Sequence, residues 1–189
     1  MRLPTPLLRR NPHCHKNDFG HVLVLAGSPR MLGAATLTCM AAMRAGAGLV
    51  TLGIPCSLNL TAQKKISPVV MTWPLSETRE QTLAVNAFTQ IERNIAHYDV
   101  IALGPGLTRN ISTQKLILKI ISLIDKPLVI DADAINALAT DPAALLKTNN
   151  IRIITPHSGE MSRLIKRPVS FIEKNRTESA KDFAQKYQC

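Results

Sequence analysis

At 189 residues and 46% hydrophobic content, the chain can bury one sizeable core, and nothing in its pattern divides it into two domains. The formal charge of +10 suits an anionic small molecule or a solvated basic face, but the basic residues are dispersed and aromatics are only 4%, which argues against nucleic acid. No apolar run approaches the roughly 20 residues that span a bilayer, and the proline-broken start lacks a secretory core, so a cytoplasmic protein without a membrane segment is expected.

Residues 1–18 read as an extended arm of a single α/β domain covering 1–189. Within the arm His13 and His15 flank Cys14, a tract that suits an adventitious metal or simply a polar segment. The cysteines at Cys14, Cys39, Cys56 and Cys189 lie far apart, without zinc-type spacing, and read as reduced thiols. An apolar strand over 21–26 runs into a glycine loop over 27–33 and a helix over 34–45. The alanines of that helix make it slim enough to approach a sheet closely, and Gly46 and Gly48 stop it. A second strand follows over 49–54. One extended piece over 67–74 and an amphipathic helix over 81–95 come next, with no catalytic motif in that region. A strand over 98–103, a helix over 112–124, a strand ending at Ile130, a short helix over 134–139 and a strand over 151–155 continue the alternation. The remainder, 158–164 and 170–186, is helical in pattern. Strands alternating with helices at this spacing predict a doubly wound, mainly parallel sheet with helices on both faces.

In such sheets ligands bind at the carboxyl ends of the strands, which directs attention to four loops. Gly27 and Gly33 bound a stretch that suits either a phosphate cradle or a tight turn, and it matches neither the Walker nor the dinucleotide fingerprint. Gly104-Pro-Gly-Leu107 suits an anion, a flat ring or a plain strand-end turn. Asp131 and Asp133 alternate at a strand tip, as ligands of a metal or hydroxyl or as helix caps. Thr155-Pro-His-Ser-Gly-Glu160 gathers an imidazole, a hydroxyl and a carboxylate at a helix entrance: His157 can donate to a phosphate or sugar oxygen and Glu160 can orient it, or the segment can be a helix cap.

Six segments in order resemble the ADP/ATP-dependent NAD(P)H-hydrate dehydratase family of the ribokinase-like superfamily. They are His15-Lys-Asn-Asp-Phe-Gly-His-Val-Leu-Val-Leu-Ala-Gly-Ser28, Gly33-Ala-Ala35, Arg44-Ala-Gly-Ala-Gly-Leu-Val50, Gly104-Pro-Gly-Leu107, Val129-Ile-Asp-Ala-Asp133 and Thr155-Pro-His-Ser-Gly-Glu160. The resemblance implies a hydro-lyase that repairs the (S)-epimer of NADH or NADPH hydrate, with ADP or ATP as co-substrate and Mg2+, and a homo-oligomeric state. Phosphoryl transfer to the ring hydroxyl makes a leaving group, and the ring nitrogen then assists elimination. It further implies that Ala35, Gly106 and the run His157, Ser158, Gly159, Glu160, Met161, Ser162 and Arg163 contact the hydrated dinucleotide. The family's general base is the Asp of a Gly-Asp step at a glycine-rich helix start. No Gly-Asp dipeptide occurs in this sequence, so no catalytic or metal residue is assigned, and the expectation is a ribokinase-like domain incomplete at its C-terminus with impaired turnover. A thiamine-precursor kinase of the same superfamily and a non-catalytic dinucleotide-binding remnant are the alternative readings.

Overall fold

The computed structural model describes residues 13–189. Six strands, β1 (His21–Leu25), β2 (Leu49–Pro55), β3 (Met71–Leu75), β4 (Val100–Leu103), β5 (Leu128–Ile130) and β6 (Arg152–Ile154), form one sheet in the order β3-β2-β1-β4-β5-β6. All its pairings are parallel. Parallel strands need crossovers, and the helices supply them: α1 (Leu32–Ala45), α2 (Asn59–Lys65), α3 (Ala87–Asn94), α4 (Ile111–Leu123) and α5 (Asp133–Leu138), followed by α6 (Ser158–Ile165), α7 (Val169–Lys174) and α8 (Arg176–Tyr187). Among the described residues no helix is long and apolar enough to cross a membrane.

Alternation along β1 divides the core. Val24 and Ala26 join Ala35 and Cys39 of α1 and Ala62 of α2 on one face. Leu23 and Leu25 join Phe88, Ile117, Ile135, Leu164, Ile172 and Phe183 from the other helices on the opposite face. Helices therefore cover both faces. The chain winds outward from β1 to β3 and then restarts at β4 on the other side of β1, so the loops after β1 and β4 diverge. This is the switch point at which open α/β sheets form their ligand crevice.

The expected strands are observed in order, and the helices depart in three places, the first being α2 (Asn59–Lys65), where no helix was expected. The helix expected over 81–95 begins only at Ala87, because Gln81 adopts φ +56 in a turn and Leu83 bridges Glu77. The helix expected over 170–186 breaks at Asn175 (φ −129, ψ 38), whose side chain donates to the Phe171 carbonyl instead of continuing the turn. Of the arm expected over 1–18, residues 1–12 lie outside the described part, and Lys16–Phe19 form a 3-10 turn. Gly48 lies against that turn, where an added Cβ would come within 1.7 Å of the Lys16 carbonyl oxygen.

Candidate functional site

The strand tips are stitched together one to the next. At the carboxyl end of the sheet, the Gly27 amide donates to the Pro105 carbonyl (2.9 Å) and the Gly104 amide to the Leu25 carbonyl (3.1 Å). Farther along, the Asp131 amide donates to Leu103 (3.0 Å) and the Thr155 amide to Ile130 (3.2 Å). Each loop leaves its strand from a backbone position fixed by its neighbour. Close contact is part of the design: an added Cβ at Gly104 (φ +130) would lie 1.8 Å from the Asp131 carbonyl oxygen, and one at Gly106 (φ +71) 2.8 Å from the Met31 Cβ.

Between the loops after β1 and β4 lies a cleft of about 690 Å³, bounded by Ser28, Arg30 and Met31 on one side and Thr108 and Asn110 on the other. Glu80 and Thr82 close it, and Glu80 accepts a hydrogen bond from the Asn110 side chain (3.2 Å). Ser28 is 1% exposed, and its hydroxyl has no hydrogen-bond partner among the described residues. A buried hydroxyl left unsatisfied at the wall of a cleft is an available donor for a ligand.

Two carboxylates brace this edge of the sheet. Ala132, between them, has φ +51 and ψ −118, a costly conformation for a residue with a Cβ. The bend sends the two side chains to different neighbours: Asp131 accepts from the Thr155 hydroxyl (2.8 Å), and Asp133 accepts from the Thr108 amide (2.8 Å) and the Asn136 side-chain amide (3.2 Å). Asn136 in turn accepts from Arg163 Nε (2.9 Å) and Arg109 Nη2 (3.3 Å). The loop after β4, the loop after β5 and helix α6 are thereby joined in one network, which puts the Gly106 loop and the His157 helix on the same edge.

His157 is the N-cap of α6. Its Nδ1 accepts from the Gly159 amide (3.0 Å), while the Glu160 carboxylate accepts from the His157 amide (3.0 Å) and lies 3.2 Å from Nε2. A ring nitrogen that accepts an N–H carries no proton, so the proton sits on Nε2 and donates to Glu160. Both ring nitrogens are occupied inside the loop, although the side chain is 68% exposed. The capping box expected as one reading of this segment is present.

The expected contact residues separate by position. His157, Gly159, Glu160 and Arg163 cluster around the α6 entrance, the Arg163 guanidinium lying 3.8 Å from where a Gly159 Cβ would stand. Ser158 opens the helix and stays partly exposed, whereas Ser162 donates to the Arg167 carbonyl at its far end. Ala35 is 1% exposed and faces Gly27, and Met161 is 4% exposed beneath Ile154 and Phe183, so both side chains pack inward. Arg109, Asn136, Glu80 and Thr82 did not emerge from the sequence. Asn136 alone carried a signal, standing three residues after Asp133 on the same helix face. Among the described residues no cluster of three or more His, Cys, Asp or Glu is placed to hold a metal ion.

Residues 22–189 match the family model described as NAD(P)H-hydrate dehydratase. The chain is 39% identical over 182 residues to the bifunctional NAD(P)H-hydrate repair enzyme of Moorella thermoacetica, covering 96% of this chain and 34% of that protein. It is 34% identical to the ADP-dependent (S)-NAD(P)H-hydrate dehydratase of Bacillus subtilis, again over 96% of this chain but 60% of the relative. The crystal structure of a Bacillus subtilis ADP/ATP-dependent NAD(P)H-hydrate dehydratase, co-crystallized with ATP/Mg2+, superposes with a TM-score of 0.72 at 31% identity, covering 95% of this chain and 59% of that one. A ribokinase-like protein from Enterococcus faecalis shares the fold with a TM-score of 0.74 at 20% identity. The chain thus spans about a third to three-fifths of the relatives it matches. The fold is ribokinase-like, and the chain belongs to the NAD(P)H-hydrate dehydratase family.

Proposed function

We propose that this chain binds and orients the (S)-epimer of NAD(P)H hydrate for dehydration to NAD(P)H, with ADP or ATP as the co-substrate. The observation that carries the reading is the cleft at the switch point, walled by the loops after β1 and β4 and tied to the His157 helix through Thr108, Asp133, Asn136 and Arg163, in a chain whose family model spans 22–189. The family membership favours a dehydratase over a thiamine-precursor kinase.

In this reaction the nucleotide's terminal phosphoryl group passes to the ring hydroxyl, the ring nitrogen's electron pair expels the phosphate to leave an iminium ion, and loss of the proton from the neighbouring ring carbon to solvent or to the departing phosphate gives the reduced nicotinamide. The residues described supply position. Gly104 and Gly106 let the loop after β4 close against Asp131 and Met31, the Ser28 hydroxyl offers a hydrogen bond inside the cleft, and the His157–Glu160 box fixes the α6 entrance. The sequence contains no Gly-Asp step, so the proposal assigns no general base within it. Nor do the described residues fit a protein-held magnesium site, since Asp131 and Asp133 are occupied by Thr155, Thr108 and Asn136. No step is therefore derived through the ion. A cytoplasmic setting and a homo-oligomer belong to the same reading. The oligomer is supported by Leu37 and Leu60, 73% and 71% exposed on the two helices of one face, and is tested by analytical ultracentrifugation.

The deciding experiment presents purified protein with (S)-NADPH hydrate, alone and with ADP or ATP and Mg2+. Binding is followed by thermal shift and product by the returning fluorescence of NADPH. Saturable binding of the hydrate, with NADPH formation that requires the nucleotide and is much slower than a complete catalytic set would give, is the expected result. Binding without turnover would favour a non-catalytic dinucleotide-binding role, and absence of any response to hydrate or NADPH would overturn the reading.

A further inference from the structure

Arg109, in the loop after β4, and Arg163, on α6, reach the same atom. The Asn136 side-chain oxygen accepts from both, at 3.3 and 2.9 Å. The amide cannot be turned round, because its nitrogen donates to Asp133 and would otherwise confront two guanidinium groups that have no acceptor to offer. Two like charges are therefore held side by side on a neutral acceptor, an arrangement that Coulomb repulsion disfavours unless an anion joins them.

No carboxylate of the protein takes that place. Among the described residues neither arginine has an ion-pair partner, and the acidic group at this end of the network, Asp133, has its oxygens engaged by the Thr108 amide and by Asn136. Both guanidinium groups remain at the surface, at the carboxyl edge of the sheet, with Arg163 over Gly159 beside His157. Since the His157 ring nitrogens are both used within the helix cap, the positive charge available here is that of the two arginines.

We infer that Arg109 and Arg163 form a paired-guanidinium site for a diphosphate, with Asn136 as the residue that positions them. A planar fork of donors suits phosphate oxygens, and two forks held at one point suit the adjacent phosphates of a diphosphate ester. The assignment rests on the dinucleotide reading above, whose ligand carries such a diphosphate bridge, and names where that bridge is gripped.

The test is calorimetric titration of the protein with sodium pyrophosphate and, separately, with NADPH, for the wild type, Arg109→Ala, Arg109→Lys and Asn136→Ala. The wild type is expected to bind both ligands, more weakly as salt rises. Removing one charged hydrogen-bonding partner should weaken both by about tenfold or more, with Arg109→Lys restoring part of the loss. Asn136→Ala should weaken both although it removes no charge, a result that simple electrostatic attraction to a basic surface does not give. Arg109 is exposed, so the Arg109 variants remain informative even if Asn136→Ala unfolds. Pyrophosphate binding that is absent in the wild type, or within twofold of it in Arg109→Ala, overturns the site. NADPH binding unchanged in Arg109→Ala would remove the site and leave the dinucleotide reading intact. Arg109-dependent binding of pyrophosphate without any binding of NADPH would do the reverse.

Discussion

Replacing Arg152 by methionine isolates the contribution of a charge buried without a carboxylate partner. Arg152 opens β6 at 2% exposure, and its guanidinium donates to the carbonyls of Lys126 (2.7 Å), Ile124 (2.9 Å), Ile151 (3.2 Å) and Ile121 (3.4 Å), as well as to the Thr148 hydroxyl. Burial lowers its pKa from the ordinary arginine value, and the nearby Asp125 carboxylate opposes that shift. Two of the acceptors lie at the C-terminal end of α4, where helix carbonyls lack partners and a cation is favoured. Methionine fills much of the volume but donates nothing. Each buried carbonyl left unsatisfied costs about 1–3 kcal/mol, and the helix-end interaction adds about 0.3–1 kcal/mol. Relief from desolvating the charge offsets part of this, leaving a net destabilisation of about 3–5 kcal/mol. For a chain of this size that corresponds to a midpoint about 10 °C lower. Thermal and urea unfolding of Arg152→Met and Arg152→Lys measure it, lysine being expected to recover part of the loss. A methionine variant as stable as the wild type would refute the reasoning, by showing that desolvation of the guanidinium outweighs its bonds.

Gly104→Ala should abolish soluble folding or lower stability severely, since φ +130 and the 1.8 Å approach to the Asp131 oxygen both oppose a side chain. Gly33→Ala, with nothing within 4 Å of the new methyl, should be neutral or stabilising by about 0.5–1 kcal/mol, and parallel melting curves compare the two. His21 has its pKa lowered from 6.5 by burial, against the raising influence of the His97 carbonyl and Asp99 and with the smaller lowering influence of His97 charge. The folded state thus prefers the neutral ring, so its contribution is complete above the unfolded value and is lost as pH falls through the folded one. Below 6.5 the wild type should lose stability more steeply than His21→Gln, as read from melting temperature against pH. Burial pushes the Cys39 thiol up to about 12, whereas Cys56 is exposed. Iodoacetamide at about pH 8 should therefore label Cys56 in the native protein and reach Cys39 only after denaturation, with peptide mass spectrometry as the readout.

The sheet was legible because most of its strands are short apolar runs closed by a turn residue. Leu128–Ile130 ahead of Asp131 and Val100–Leu103 ahead of Gly104 are examples. The region after β3 was not. Its apolar residues at Leu83, Ala84 and Ala87 carry a helical spacing, but Leu83 is used in a bridge to Glu77, and that tertiary pairing delays the helix. The same turn carries Glu80 and Thr82 into the cleft, so the irregular segment without a motif supplies a wall of the candidate site. Asn136 and Arg109 stayed hidden for a different reason. Neither belongs to a spacing pattern with Arg163, and their meeting depends on how α5 and the loop after β4 are set on the sheet.

Asp131, Asp133 and the Thr155–Glu160 segment each read either as ligand chemistry or as caps, and the structure gives them bonding roles: Asp131 and Thr155 hold each other, Asp133 holds the loop after β4, and the imidazole and carboxylate of His157 and Glu160 close a helix cap. Those groups build the shape of the loops. What they leave to a ligand is two guanidinium groups at the surface and the Ser28 hydroxyl, buried without a partner at the wall of the cleft. An unpartnered hydroxyl suits a polar substituent of a ligand, and paired guanidinium groups suit a diphosphate. Because the shaping groups are bonded to one another across three loops, loosening any of them moves the ligand-facing groups together. Asp133 is bonded both to the cleft wall, through the Thr108 amide, and to the arginine pair, through Asn136, so a change at the β5 tip reaches both.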